Sequence, residues 1–567
     1  MVDESNLPTR GSDALGPAQR RHALQVFEHT TPDDPLDVLV VGGGVVGAGA
    51  ALDAATRGLR VGLVEMNDLA EGTSSRSSRL AHGGLRYLEQ REFSLVHEAL
   101  TERGLLLDRL APHLVRPVPF LFPVARPWER PYVASGIRLY DLLSRVGAYG
   151  GSMPRPRSLT RDQAKALAPD LDSDEMAGAI RFHDAQIDDA RHTVAVARTA
   201  AGFGALIATR VKVEGVVREG DRVIGVRAHD RVSAQTFIIY ARVVIGAAGV
   251  WTDDLLRQVD PDARSQVQQS KGVHLVVPAD AIRSTTAIIA RTPASVLFLL
   301  PWGRFWLVGT TDTPWQDDDG DLADPRATEA DIDYLLEQAN RWLARPLTRE
   351  HVVSTYAGLR PLLSAADVEG TTTLSREHSV FRPAPGIVVI AGGKYTTYRV
   401  MAEDVVDAAV SELMQSHDRP SVRASATAQV PLVGADHFAE AWESRSERAR
   451  QYGLSLEMME ALMRRHGDRI DEVLACADED PSWLEPLLPG APYLRAEARV
   501  AVTHQGALDL ADVMTRRLRI SLETPDHARA AVQPVAAIIA DELGWSAQDT
   551  EDAITTYLEH FPEESLT

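Results

Sequence analysis

The chain has 567 residues, of which 44% are hydrophobic and 25% charged, and a formal net charge of −21. This composition excludes a mostly disordered, collagen-like or coiled-coil protein. The acidity argues against nucleic acid bound through a broadly basic surface, and the single cysteine, Cys476, excludes an internal disulfide, a cysteine-ligated cluster and a structural zinc site. Residues 1–36 carry Asp3, Glu4, Asp13, Asp33 and Asp34 without an apolar core, and read as a flexible extension with no signal peptide. No apolar run approaches the ~18 residues of a membrane-spanning helix. No His/carboxylate pattern suggests a metal site.

The first strong pattern is DVLVVGGGVVGAGAALDAATRGLRVGLVE, Asp37–Glu65. It predicts a strand over Val38–Val41, a helix over Ala48–Arg57 and a second strand over Arg60–Val64. Gly42, Gly44 and Gly47 fit G-x-G-x-x-G. The first permits a tight turn, the second lets the backbone approach a pyrophosphate, and the third lets helix and strand pack closely. Glu65, 23 positions after Gly42, is placed to accept from a ribose hydroxyl. The unit points to binding of an ADP moiety.

Further along, Ala205–Arg227 reads as a hairpin around Arg218–Asp221, and Arg242–Ala248 and Gly386–Ala391 read as buried strands followed by glycines. An N-terminal fingerprint whose sheet is completed by such late strands suits FAD better than a nicotinamide, and no second fingerprint is present. Gly72–Leu88, dense in Ser, Thr and Arg and ending near His82-Gly83-Gly84, fits a segment facing that cofactor. Beyond about residue 420 the periodicity becomes helical over Trp442–Tyr452, Leu456–Arg465, Arg495–Arg519, Pro525–Leu543 and Ala547–His560, with Ser546 and Asp549 as a capping box. The expected organisation is therefore a flexible segment 1–36, a Rossmann-like α/β cofactor domain with an interleaved β-rich substrate domain over 37–420, and an all-α cap over 421–567.

With the motifs TSSRSSRLAHGGLRYLE, KGVHL, YAGLRPL, SREH and GGKYTTYR on view, the chain closely resembles the FAD-dependent, respiratory glycerol-3-phosphate dehydrogenases of the glycine-oxidase-like flavoprotein group. The resemblance implies hydride transfer from C2 of sn-glycerol 3-phosphate to N5 of FAD, with electrons passed to membrane quinone. It implies non-covalent FAD held by Gly42, Gly44, Gly47, Glu65, Ser74, Ser75, Ser78, Gly249, Trp251, Gly392 and Thr396. It implies a substrate pocket of His82, Arg86, Tyr87, His274, Arg360, Arg376 and Lys394.

The chemistry agrees with these residue types. A phosphate dianion needs fixed cations, and Arg360 and Arg376 offer planar forks. Oxidation of a secondary alcohol needs an acceptor for the hydroxyl proton, for which His82 and His274 are candidates, with a lean to His274. Lys394 can polarise the substrate oxygen, and Tyr87 can donate to phosphate or the carbinol oxygen. The alternatives are an oxidase of the same family that uses oxygen, or an amine or amino-acid oxidase of the same fold. A cytoplasmic homodimer bound peripherally to the membrane is expected. The candidate contact is the Pro127–Tyr149 segment, where Trp128, Tyr132 and Tyr140 alternate with Arg130, Arg138 and Arg145.

Overall fold

A computed structural model of the chain describes residues 7–84, 92–126, 128–146, 153–171, 176–293, 296–316, 320–364, 378–416 and 421–561. Among them the molecule is organised by two sheets and a helical C-terminal region. The first sheet is built on β1 (Leu36–Val41), which pairs in parallel with Thr236–Gly246 on one side and with β2 (Val61–Glu65) on the other. Ile387–Gly392 and Leu206–Thr209 extend it in parallel at either side. The predicted hairpin forms from Val211–Glu219 and Arg222–Asp230, turning at Gly220 and Asp221.

One helix, Val45–Thr56, connects β1 to β2, starting three residues earlier than the periodicity suggested. It is buried along nearly its whole length, which explains its alanine and glycine content. It packs against the sheet and against the helices Asp189–Gly202 and Tyr398–Ser416. A Cβ on Gly49 would stand 3.0 Å from Cβ of Ala402 and 3.1 Å from the Tyr398 ring, so small residues set the helix spacing.

The second sheet has ten strands and is predominantly antiparallel. Its long strand Val267–Pro278 pairs with Ser354–Leu363 in a register that sets Ser270 opposite Arg360 and His274 opposite Tyr356. A separate apolar cluster of Val273, Leu275, Val277, Leu297, Leu299, Trp306 and Val308 gives this sheet its own core. Two further clusters fill the helical region, one around Met459, Leu462 and Val473, the other around Val513, Val532 and Ile539. Helices Leu456–His466 and Ala547–His560 form as read, the latter with its capping box. The expected single helix over Arg495–Arg519 is instead the helix Arg495–Thr503, a turn containing Gly506, and a π-helical segment Asp512–Arg517.

The N-terminal segment differs from the expected flexible extension. Pro17–Glu28 is a helix whose Ala23 and Phe27 are buried against the first sheet. Arg20 donates to Thr209 O and pairs with Asp230 at 2.5 Å, while Asp13 pairs with Arg198 and Arg469. Its acidic residues suggested solvation. The partners of Asp13, buried Arg198 and half-exposed Arg469, lie far away in the chain, beyond the reach of local composition.

Candidate active site

At the end of β1 the chain turns through Gly42, whose φ of +115° favours glycine and whose missing side chain leaves room for the Ala247 carbonyl. A Cβ on Gly47 would overlap the Gly42 carbonyl, so the helix Val45–Thr56 can start this close to the strand only with glycine there. Its N-terminus presents free backbone N–H groups and the positive end of its dipole. Val45 N donates to Ser74 Oγ at 2.9 Å. Glu65, at the end of β2, accepts from Gly43 N at 2.6 Å and from Asn67 N at 2.8 Å. Burial pushes its carboxyl up to about 7, against the pull of these two N–H groups.

A cavity of about 570 Å³ opens from this cradle. Gly42, Gly44, Glu65, Ser74, Ser78, Gly249, Trp251, Gly392 and Thr396 all line it. Gly47 and Ser75 do not. Gly47 acts through helix packing, and buried Ser75 offers its carbonyl to Arg519 Nη1 at 3.0 Å. A glycine cradle that side chains would block, a helix N-terminus and a carboxylate at the end of the next strand together fit the ADP half of FAD. The hydroxyl-rich Thr73–Ser78 segment and the Gly392-Gly393 turn supply further parts of the wall.

His82, His274, Arg360 and Lys394 reach the same cavity from four different segments. His274 and Arg360 stand on the adjacent long strands of the second sheet. Each lies against a glycine. A Cβ on Gly309 would overlap the His274 ring, and one on Gly272 would overlap the Arg360 guanidinium. Arg360 is steered by Asp312 Oδ1 at 3.3 Å, Thr310 Oγ1 at 3.0 Å and Thr311 O at 3.1 Å. His274 is 2% exposed, stacks on Tyr356 with ring centroids 4.7 Å apart, and has Nε2 2.9 Å from Ser78 Oγ. Burial, then Arg360 and Arg79, lower its proton affinity to about 3, so it is neutral in the substrate-free protein.

His82 is fixed through its backbone, whose N–H donates to Thr396 Oγ1 at 3.0 Å. Lys394 sits at the start of the turn Tyr395–Thr397, and its charge reaches Glu98. Arg86, Tyr87 and Arg376 lie outside the described residues. Arg76, within the Ser/Arg-rich segment, is a further cavity-lining cation beyond those the resemblance implies. Burial lowers its proton affinity.

The helical region also contributes. Arg517 clamps Asp68 with two contacts of 2.7 Å, and Arg516 reaches Asp68 at 2.6 Å. Arg519 holds Ser75 O and the Asp189 carboxylate. The segment that completes the cradle, between Glu65 and Ser78, is therefore tied down from the far end of the chain. The motif LADVMTRRLRI contains these arginines, but helical periodicity alone assigned them only to a cap.

Comparison with known proteins agrees with this geometry. A family profile described as FAD dependent oxidoreductase matches residues 37–408, and one described as the C-terminal domain of alpha-glycerophosphate oxidase matches 425–550. A glycerol-3-phosphate dehydrogenase of Mycobacterium leprae is 50% identical over 96% of this chain and 91% of its own length. The human mitochondrial glycerol-3-phosphate dehydrogenase is 34% identical over 95% of this chain and 74% of its own. The crystal structure of the Bacillus halodurans glycerol-3-phosphate dehydrogenase with FAD superposes with a TM-score of 0.76 at 28% identity, covering 97% of this chain and 98% of that one. With a glycine cradle, a ribose carboxylate and a cationic pocket in one cavity, and relatives of this similarity along nearly its whole length, the chain belongs to the FAD-dependent glycerol-3-phosphate dehydrogenase family.

Proposed function

We propose that the protein oxidises sn-glycerol 3-phosphate at C2 to dihydroxyacetone phosphate and delivers the electrons to a quinone at a membrane surface. The observation that carries this reading is the meeting of Arg360 and His274, on neighbouring strands, at the end of the cavity that begins in the FAD cradle. Bound FAD would supply the acceptor for the C2 hydride. Arg360 binds the phosphate, and Arg76 adds a second cation in the same wall. His274 takes the C2 hydroxyl proton, directly or through Ser78. Its low proton affinity in the free protein comes first from burial. Arg360 is the second cause of the lowering, and a phosphate dianion seated on Arg360 offsets that charge and makes the imidazole more basic when substrate is present. Lys394 polarises the oxygen at C2.

For the membrane, no described helix is long and apolar enough to cross a bilayer. The helix Glu129–Val146 is two-sided. Tyr140, expected at the membrane surface, is buried together with Ile137, and Tyr140 donates to Asp184 and accepts from Gly83 N. The opposite face exposes Leu139, Leu142 and Arg138, with Trp128 just ahead of it at 63% exposure. Phe93 is exposed at the start of the neighbouring helix Phe93–Leu105, which touches the first through His97 Nδ1 and Leu143 O at 3.3 Å. Four of the eight exposed large apolar side chains among the described residues thus sit on this helix pair and its approach, a composition suited to the headgroup level.

The test is anaerobic addition of glycerol 3-phosphate to the FAD-loaded protein. The flavin absorbance should bleach, and a short-chain quinone should restore it far faster than air. No bleaching overturns the substrate. Faster recovery in air than with quinone favours an oxidase.

A further inference from the structure

A second cavity, of about 550 Å³, lies between the helical region and the second sheet and shares no lining residue with the active cavity. On a molecule of net charge −21, its wall carries six arginines, Arg116, Arg191, Arg304, Arg464, Arg465 and Arg519. Three carboxylates, Asp188, Glu457 and Glu523, face the same space. Two of the arginines are matched from behind the wall, Arg465 by Glu497 at 2.6 Å and Arg519 by Asp189.

The rest are not matched in this way. Arg116 spends two donors on the neutral amide oxygen of Gln186, at 2.7 and 3.1 Å. Arg304 donates to the Gly490 carbonyl at 2.6 Å. Arg464 lies over the Trp442 ring at 4.5 Å. None of these three has an ion-pair partner among the described residues. Arg191 is 5% exposed; its Nε is 3.3 Å from Asp188, and its Nη2 is buried without a hydrogen-bond partner among the described residues. Burial, with Arg465 adding to it, lowers the Arg191 proton affinity to about 10, and burial with Arg464 lowers that of Arg116. Arg116, Arg304 and Arg464 rest on neutral partners, and Arg191, beside Asp188, keeps a buried donor unused, so the wall offers cationic donors that an anion can take up. Trp302, Met458 and Leu518 in the same wall offer apolar surface to whatever bears that charge.

We infer that this cavity binds a small organic phosphate carrying at least two negative charges, at a site separate from the one where oxidation takes place. Neither the oxidation nor the cofactor requires it, so the inference stands independently of the proposed reaction.

The test is calorimetric titration of the FAD-loaded protein with inorganic pyrophosphate at fixed ionic strength. A binding event is expected that persists in Arg360→Gln, because that change alters only the active cavity. Arg116→Gln and Arg464→Gln should each weaken the event at least tenfold while oxidation of glycerol 3-phosphate proceeds at the wild-type rate. The inference is overturned if the wild type binds no pyrophosphate, if both cavity variants bind as tightly as the wild type, or if Arg360→Gln abolishes the event.

Discussion

The two ends of the active cavity are built on different principles. The cradle end is made of main chain. Gly42, Gly44 and Gly47, together with the first N–H groups of one helix, supply it within a few consecutive positions, and its one key side chain is Glu65. The other end is made of side chains. His82, His274, Arg360 and Lys394 come from strands and turns of two sheets, and His274 and Arg360 are aimed by neighbours, Gly309 for the first, Gly272 and Asp312 for the second. A backbone site tolerates little change at its glycines and is indifferent to most side chains nearby. A side-chain site should lose its chemistry one residue at a time while the fold survives.

The largest effect should come from the cradle. Gly47→Val places a branched Cβ where the Gly42 carbonyl lies, and the purified protein should contain no flavin by absorbance at 450 nm. A yellow Gly47→Val protein with normal flavin content would break the contrast between the two ends. At the other end, His274→Asn should keep its flavin and lose roughly 10²–10⁴-fold in kcat, the range for removal of a positioned proton acceptor. Stopped-flow bleaching reads this directly, and a loss under fivefold would move the role to His82.

Arg360→Ala should cost about one to two decades in kcat/KM for glycerol 3-phosphate, from a lost contact worth roughly 1.5–3 kcal/mol. Bare glycerol should be affected far less. Equal losses on both substrates would remove Arg360 from the phosphate site.

The smallest effect distinguishes the ends by pH in the flavin-free protein. Glu65 is raised to about 7 in the fold, so its contribution is present at low pH and lost as pH rises through 7. His274 is lowered to about 3 from an ordinary value near 6.5, so its contribution is present above 6.5 and lost as pH falls toward 3. Between pH 5 and pH 8, Glu65→Gln should therefore flatten a decline of Tm with rising pH, and His274→Asn should flatten a decline with falling pH. The same sign from both variants would refute the assignment.

This difference also explains what could be read from the chain. The cradle is local, so its glycine spacing and the acidic residue at the next strand end disclosed it without reference to any family. The cationic end draws on positions from His82 to Lys394, and only the resemblance brought those residues together. Gly272 and Gly309 show the limit well. Their role depends on which side chain lies across the strand pair, and no local pattern reports that register. The docked N-terminal helix escaped for a similar reason, since Arg20 finds Asp230 only after folding.

The clamp of Arg517 on Asp68 joins residues 449 positions apart, and Arg519 closes on Ser75 from nearly as far. During synthesis the glycine turn leaves the ribosome early, but the segment that finishes the cofactor's bed is not fastened until almost the whole polypeptide has been made. A product that stops short of Arg517 carries the complete glycine turn and lacks the fastening.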